Sequence, residues 1–270
     1  METAEYTPEL RRFHAGEGDS FETRSGGLKV PVHIQGSVAG FAPAKWSLHH
    51  LDRLAGNCQF RVSRNDENGK WIANKDGRCG IDWFELSLSE YLAGLANGEL
   101  EKLYAGSISI DQLPPLRDEA MEAPFLAWIE DPGSIQIRFW LGRGNATQLH
   151  YDLFYTFLAP IIGEREVWLY APTHLEDFYP RHDANNRNVS TIGSPKTFDR
   201  STFSAFCSKR PIELTIKPGE VLFIPIYWWH YVEARPEVNV ALSYHFVRPT
   251  VETLRSEYLL HCARGRAGLA

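Results

Sequence analysis

The sequence predicts a mainly antiparallel β domain with helices flanking it, and three observations lead there. The chain has 270 residues, 43% of them hydrophobic, which describes one well-filled domain, or two small ones, whose core needs no disulfide or structural metal. From Ser134 onward, short β-branched and aromatic runs are broken by turn residues, the pattern of successive strands. Ahead of Ser134 the apolar residues recur at helical spacing in two places.

The first helix follows Ser47, with Leu48, Leu51 and Leu54 on one face and Gly56 as its stop. The second follows Ser87, which forms a capping-box pattern with Glu90 ahead of Tyr91, Leu92 and Leu95 and before Asn97-Gly98. Strands are expected over 135–141, 148–152, 155–162, 166–170, 212–216, 221–224 and 239–247, with Gly163 and Pro218-Gly219 at the breaks. Between them, 171–210 is aperiodic and contains His174, His182, Asn185 and Asn186. A loop of that length inside a domain usually serves function. Last, 251–263 has Leu254, Tyr258, Leu259 and Cys262 at the spacing of a short amphipathic helix, placed to cap a barrel or to meet a second copy in a homodimer.

Charge and cysteine usage exclude several classes. The 28 basic and 34 acidic side chains leave a net charge of −6, which argues against binding nucleic acid or an anionic membrane. No apolar run is long enough to span a bilayer, and residues 1–13 lack the apolar run of a signal peptide. Cys58, Cys79, Cys207 and Cys262 are scattered without a C-x-x-C pair, so reduced thiols and a cytoplasmic location are expected.

The chemistry rests on His-x-Asp/Glu. Ten histidines and 34 carboxylates yield a little over one match by chance, and there are three: His50-Leu-Asp52, His150-Tyr-Asp152 and His174-Leu-Glu176. Residues i and i+2 share a face only in a strand. His50 and Asp52 fall in a helix, and His174 and Glu176 in an irregular stretch. His150 and Asp152 fall in a strand-like run, and the apolar segment from Pro218 ends in Trp228-Trp229-His230. Two imidazoles and one carboxylate on one face form a facial triad that suits non-haem Fe(II) and leaves positions for a bidentate oxo-acid and for O2.

Three stretches, Trp140-Leu-Gly-Arg-Gly-Asn-Ala-Thr-Gln-Leu-His-Tyr-Asp152, Gly163-Glu-Arg-Glu-Val-Trp-Leu-Tyr-Ala-Pro172 and Pro218-Gly-Glu-Val-Leu-Phe-Ile-Pro-Ile-Tyr-Trp-Trp-His230, resemble the JmjC-type, cupin-like 2-oxoglutarate oxygenases. The resemblance covers roughly 30–249. It is nearest the branch of asparaginyl hydroxylases that act on hypoxia-inducible factor. It implies a double-stranded β-helix, or jelly roll, over 26–250, with an N-terminal extension over 1–25 and a C-terminal helix and tail over 251–270. It also implies His150, Asp152 and His230 as iron ligands, with Thr147 on the 2-oxoglutarate and Tyr104 on its distal carboxylate. The family's usual lysine for that carboxylate falls at Arg165, a departure that keeps a charged donor in bidentate form. Thr156 stands where the family often has asparagine, and Ser243 and His245 where it often has asparagine and tryptophan.

The expected activity is Fe(II)- and 2-oxoglutarate-dependent hydroxylation of a side-chain carbon in a peptide or protein. Asp152 points the same way, since the demethylase branch often has glutamate there. A free amino acid or other small molecule is the alternative substrate. A non-catalytic binding module and a cupin isomerase or sugar-binding barrel are the readings from other classes.

Overall fold

The computed structural model describes residues 9–14, 20–36, 38–64, 70–71, 82–182, 186–248, 250, 254 and 256–266. The expectations for Cys79 and Asn185 lie outside them. The strands are β1 Arg11–His14, β2 Val32–Gln35, β3 Gln59–Arg64, β4 Lys70–Trp71, β5 Trp83–Ser87, β6 Leu103–Ser109, β7 Gln136–Arg143, β8 Ala146–His150, β9 Tyr155–Ile162, β10 Arg165–Tyr170, β11 Ile212–Ile216, β12 Val221–Ile224, β13 Trp229–Ala234 and β14 Val238–Phe246. They form two sheets, nine strands in the order β1-β2-β12-β9-β14-β7-β6-β3-β5 and five in the order β11-β10-β13-β8-β4. Within them, β7 to β14 make two facing four-stranded antiparallel layers, β12-β9-β14-β7 and β11-β10-β13-β8. The chain crosses between the layers at almost every turn. That is the jelly roll the sequence predicts.

Local rules explain most of the elements. Helices α1 (Phe21–Arg24), α2 (Leu48–Ala55) and α3 (Leu88–Ala96) start at Ser20, Ser47 and Ser87, each hydroxyl accepting a backbone N–H of the first turn. The Ser87–Glu90 capping box forms in full. Several strands depart from expectation. The strand expected over 148–152 begins earlier and ends at His150, so Asp152 lies beyond it. The His230 strand β13, and all of β1 to β6, have no counterpart among the expected strands. β13 is buried on both faces over its first four residues, so no alternation shows. In β3 the alternation lasts only from Gln59 to Val62, and in β5 the exposed position beside Glu85 holds Trp83, too short and too mixed a signal to register. Two further helices among the described residues are α4 (Pro114–Met121) and α5 (Glu257–Arg266).

The largest core lies between the nine-stranded sheet and the helices, and it takes in Phe13 and Phe21 from ahead of residue 26. Its centre is aromatic: Phe125 meets Tyr244 edge-on at 4.9 Å and Phe157 at 5.0 Å. Phe125→Ala is expected to cost roughly 3–5 kcal/mol, because so enclosed a site cannot collapse. Urea unfolding at an unchanged m-value would report it, and a change below about 1 kcal/mol would contradict the packing. A second cluster fills the space between the two layers of the jelly roll. Its Leu158, Ile224 and Val232 also face a cavity, so the packed interior forms the floor of the site.

The segment 171–210 is not free-standing. Its bridge at Val189 and the bond from the Ser190 N–H to the Leu149 carbonyl pair with the end of β8 beyond the residues that β4 pairs. Phe178, Ile192 and Phe206 anchor it in a third cluster with Tyr151 and Trp229. Helix α5 closes the same cluster with Tyr258 and Cys262. There the Tyr151 hydroxyl donates to the Tyr258 carbonyl, and the Tyr258 hydroxyl to that of Thr173. Among the described residues no helix is long and apolar enough to cross a membrane.

Candidate metal centre

Three ligand atoms of His150, Asp152 and His230 lie within 4.8 Å of one another, and each is brought there differently. Strands β8 and β13 pair antiparallel with His150 directly opposite His230, and a bulge follows between His230 and Val232. Directly opposed side chains share a face, and the two ring centroids are 4.1 Å apart. Asp152 does not reach the site by strand alternation. Beyond β8, the Tyr227 N–H donates to the Asp152 carbonyl, while Asn188 exchanges hydrogen bonds with the Tyr151 backbone. Tyr227 does so with φ of +67°, a left-handed conformation costly for a bulky side chain and held by its packing on Tyr151 and Tyr258.

Hydrogen bonds decide which ring nitrogen is free. His150 Nδ1 donates to the Gln148 carbonyl at 2.7 Å, and His230 Nδ1 to the Trp228 carbonyl at 2.9 Å. A carbonyl only accepts, so each Nδ1 carries a hydrogen and Nε2 is the nitrogen directed at a metal. Those Nε2 atoms face the Asp152 carboxylate, at 3.9 Å and 3.5 Å. Burial, reinforced by His150, holds the His230 pKa well below the usual imidazole value, so the ring is neutral and able to coordinate. Two nitrogen donors and one oxygen donor, with open space on one side, fit a divalent first-row metal such as Fe(II).

The open space is a cavity of about 310 Å³, the size that takes a small ligand. Tyr104, Thr147, Thr156 and Arg165 all line it. Arg165 starts β10 and is only 3% exposed, and its Nε and Nη2 have no hydrogen-bond partner. A buried guanidinium with unused donors is costly unless an anion completes it. Its neighbour is the buried Tyr104 hydroxyl, whose pKa is raised by burial against the opposing pull of Arg165. Tyr104 therefore stays protonated. The Thr147 hydroxyl lies 3.4 Å from the Val232 carbonyl.

Trp140, Ser243 and His245 also line the cavity, with Phe154 edge-on to the His245 ring at 4.3 Å. Sequence reasoning noted Ser243 and His245 only as departures from a family pattern. Their period-two spacing on β14, a strand buried over nearly its whole length, is the signal that could have assigned them inward. Trp228 and Trp229 are core residues, buried away from the cavity lining. His174 and His182 belong to no metal-holding group among the described residues.

Burial pushes the His245 pKa down to about 4, from 6.5. The unfolded chain therefore binds this proton first as the pH falls, and stability drops between about pH 6.5 and 4 while staying flat above. At pH 5 the contribution lost is about 2 kcal/mol relative to pH 7. In the metal-free protein, urea midpoints should thus fall more steeply with acid than those of His245→Asn. Parallel curves would show that this ring is not buried in neutral form.

Comparison with known proteins gives one family match and several relatives. A model described as a cupin-like domain matches residues 19–251. Lysine-specific demethylase 8 of Xenopus tropicalis is 27% identical over 207 residues, covering 76% of this chain and 45% of that protein. Lysine-specific demethylase JMJ30 of Arabidopsis thaliana is 28% identical over 222 residues, covering 80% and 49%. A tRNA wybutosine-synthesizing protein 4 of Gibberella zeae is 23% identical over 237 residues, covering 81% and 21%. The chain spans about half the length of the first two.

Proposed function

The chain belongs to the cupin-like domain family, with JmjC domain-containing proteins among its relatives, and on that premise we propose an Fe(II)- and 2-oxoglutarate-dependent oxygenase that hydroxylates a side-chain carbon of a peptide or protein. The observation that carries it is the His150–Asp152–His230 cluster opening on the same cavity as the half-satisfied Arg165. His150, Asp152 and His230 would hold the iron. Arg165 and Tyr104 would bind the distal carboxylate of 2-oxoglutarate, with Thr147 and Thr156 along its length. When bound, iron and 2-oxoglutarate supply the means to activate O2 and oxidise an unactivated C–H bond. The chain's own contribution is to orient the co-substrate by charge, keep the buried His230 imidazole neutral and exclude water with the apolar floor of Leu158, Ile224 and Val232.

Peptide hydroxylation is supported by the motif resemblance to asparaginyl hydroxylases, by Asp152 as the carboxylate, and by Gln148, Asn186 and Asn188 in the cavity wall. Those groups suit the N–H and C=O of a peptide. The relatives named as lysine demethylases favour a second reading, oxidation of an N-methyl carbon. Incubation of the iron-loaded protein with 2-oxoglutarate and a peptide library, read by mass spectrometry, separates the two. A stable one-oxygen gain on carbon is expected. Methyl loss with formaldehyde release would replace it by demethylation, and products confined to RNA or small molecules would overturn the peptide substrate. A homodimer through α5 would have to use Leu260 and the nearby Leu254, both exposed, because Tyr258 and Cys262 already pack within the chain.

A further inference from the structure

Beside the three metal-directed residues, the cavity wall contains a continuous hydrogen-bond chain. The Trp140 indole N–H donates to Ser243 Oγ at 2.7 Å, Ser243 Oγ lies 2.8 Å from His245 Nε2, and His245 Nδ1 lies 3.0 Å from Thr156 Oγ1. All four residues line the cavity. The direction of the chain follows from its first link. An indole N–H can only donate, so Ser243 Oγ accepts there and its own hydrogen needs an acceptor. Among the described residues that acceptor is His245 Nε2. A ring nitrogen that accepts has no hydrogen, and the deeply buried ring is neutral, so its single hydrogen sits on Nδ1. That N–H donates to Thr156 Oγ1. The Thr156 hydrogen then has no acceptor among the described residues and is left for the occupant of the cavity.

Reversing the chain would bring two donors onto Ser243 Oγ and leave the serine hydrogen buried without a partner. A buried donor left unmade costs more than a made one gains, so the two directions are not equivalent.

We propose that Trp140, Ser243, His245 and Thr156 form a one-way relay that holds His245 as its Nδ1-protonated tautomer and makes Thr156 a committed hydrogen-bond donor to an oxygen of 2-oxoglutarate. The identity of that ligand rests on the functional reading above; the direction of the relay does not. Thr156 touches the co-substrate, whereas His245 acts through Thr156 and is a positioning residue. The relay gives this part of the cavity a chemical preference. It welcomes a carboxylate or carbonyl oxygen and meets an N–H group donor against donor.

Two measurements on the Zn(II)-loaded protein test this. The first is a tautomer-sensitive correlation spectrum of 15N-histidine-labelled protein, with His245 identified by the signals missing from His245→Asn. The second is calorimetric titration with 2-oxoglutarate. The wild type should show His245 neutral and protonated on Nδ1, and Ser243→Ala should release it toward the Nε2-protonated form. Thr156→Val and Ser243→Ala should each weaken 2-oxoglutarate by roughly ten- to a hundredfold, the value of a hydrogen bond to a charged group. Thr156→Ser should restore binding. His245→Asn, whose amide N–H can replace Nδ1–H toward Thr156, should bind within a few-fold of wild type, and His245→Leu should not. A wild-type His245 protonated on Nε2, or unchanged affinity in Ser243→Ala, would overturn the relay. If wild-type protein does not bind 2-oxoglutarate at all, the functional reading fails and takes the partner of Thr156 with it. The tautomer spectrum still decides the direction of the chain.

Discussion

Replacing Asp152 by alanine is expected to reduce iron-dependent conversion of 2-oxoglutarate to succinate to background, in a protein that stays folded. The side chain is 16% exposed and supplies the one carboxylate facing the two imidazole Nε2 atoms. Without it, a divalent cation keeps two nitrogen donors and loses the only charge that compensates its own among the proposed ligands. His150→Ala and His230→Ala should behave alike, because each leaves two donors where a facial triad needs three. Folding should survive Asp152→Ala, since the backbone rather than the carboxylate bonds to Tyr227. The buried partner, His230, has its pKa held well below the usual imidazole value and stays neutral without the carboxylate. Succinate formation and far-ultraviolet circular dichroism, measured on the same preparation, test both halves. Turnover near that of wild type in Asp152→Ala would remove the metal assignment.

Arg165→Ala is expected to raise the KM for 2-oxoglutarate by tens- to several-hundredfold, equivalent to about 2–4 kcal/mol for a charge-assisted pair in a buried site. The prediction rests on Nε and Nη2, buried and unpartnered, in a cavity shared with the metal-directed side chains. The KM for the oxidised substrate should change far less. Arg165→Lys should recover part of the loss, because an ammonium keeps the charge but not the bidentate fork. An unchanged KM in Arg165→Ala would mean that the guanidinium serves only β10 and Tyr104.

A good part of the fold is legible in the sequence wherever one face of an element is wet. Helices α2 and α3 start and stop at their expected caps, since capping is settled within a turn of chain. Strands β9, β11 and β12 have the expected bounds, because turn residues bracket them. Where both faces are buried the signal disappears, as in β13, the strand of His230. Helix α5 takes up Tyr258, Leu259 and Cys262 of the expected apolar spacing, while 251–253 and 255 lie outside the described residues. Its docking is set by Tyr151 and Trp229, which belong to distant strands.

For the site, residue type and local period single out His150 and Asp152, and the apolar run before His230 picks out that histidine. What they cannot supply is how the three meet. The sequence argument puts Asp152 on a strand with His150, whereas the carboxylate is delivered by a turn pinned to Tyr227 and to the loop at Asn188. Arg165 poses the same problem. Between two glutamates it reads equally as a solvated strand charge, and only the pairing of β10 between β11 and β13 buries it beside Tyr104. Residue identity is a property of the chain and is present before folding. Burial, tautomer and the sharing of one cavity by strands more than a hundred residues apart arise only when the two layers close on each other, because hydrogen bonds and desolvation depend on neighbours that the sequence does not keep adjacent.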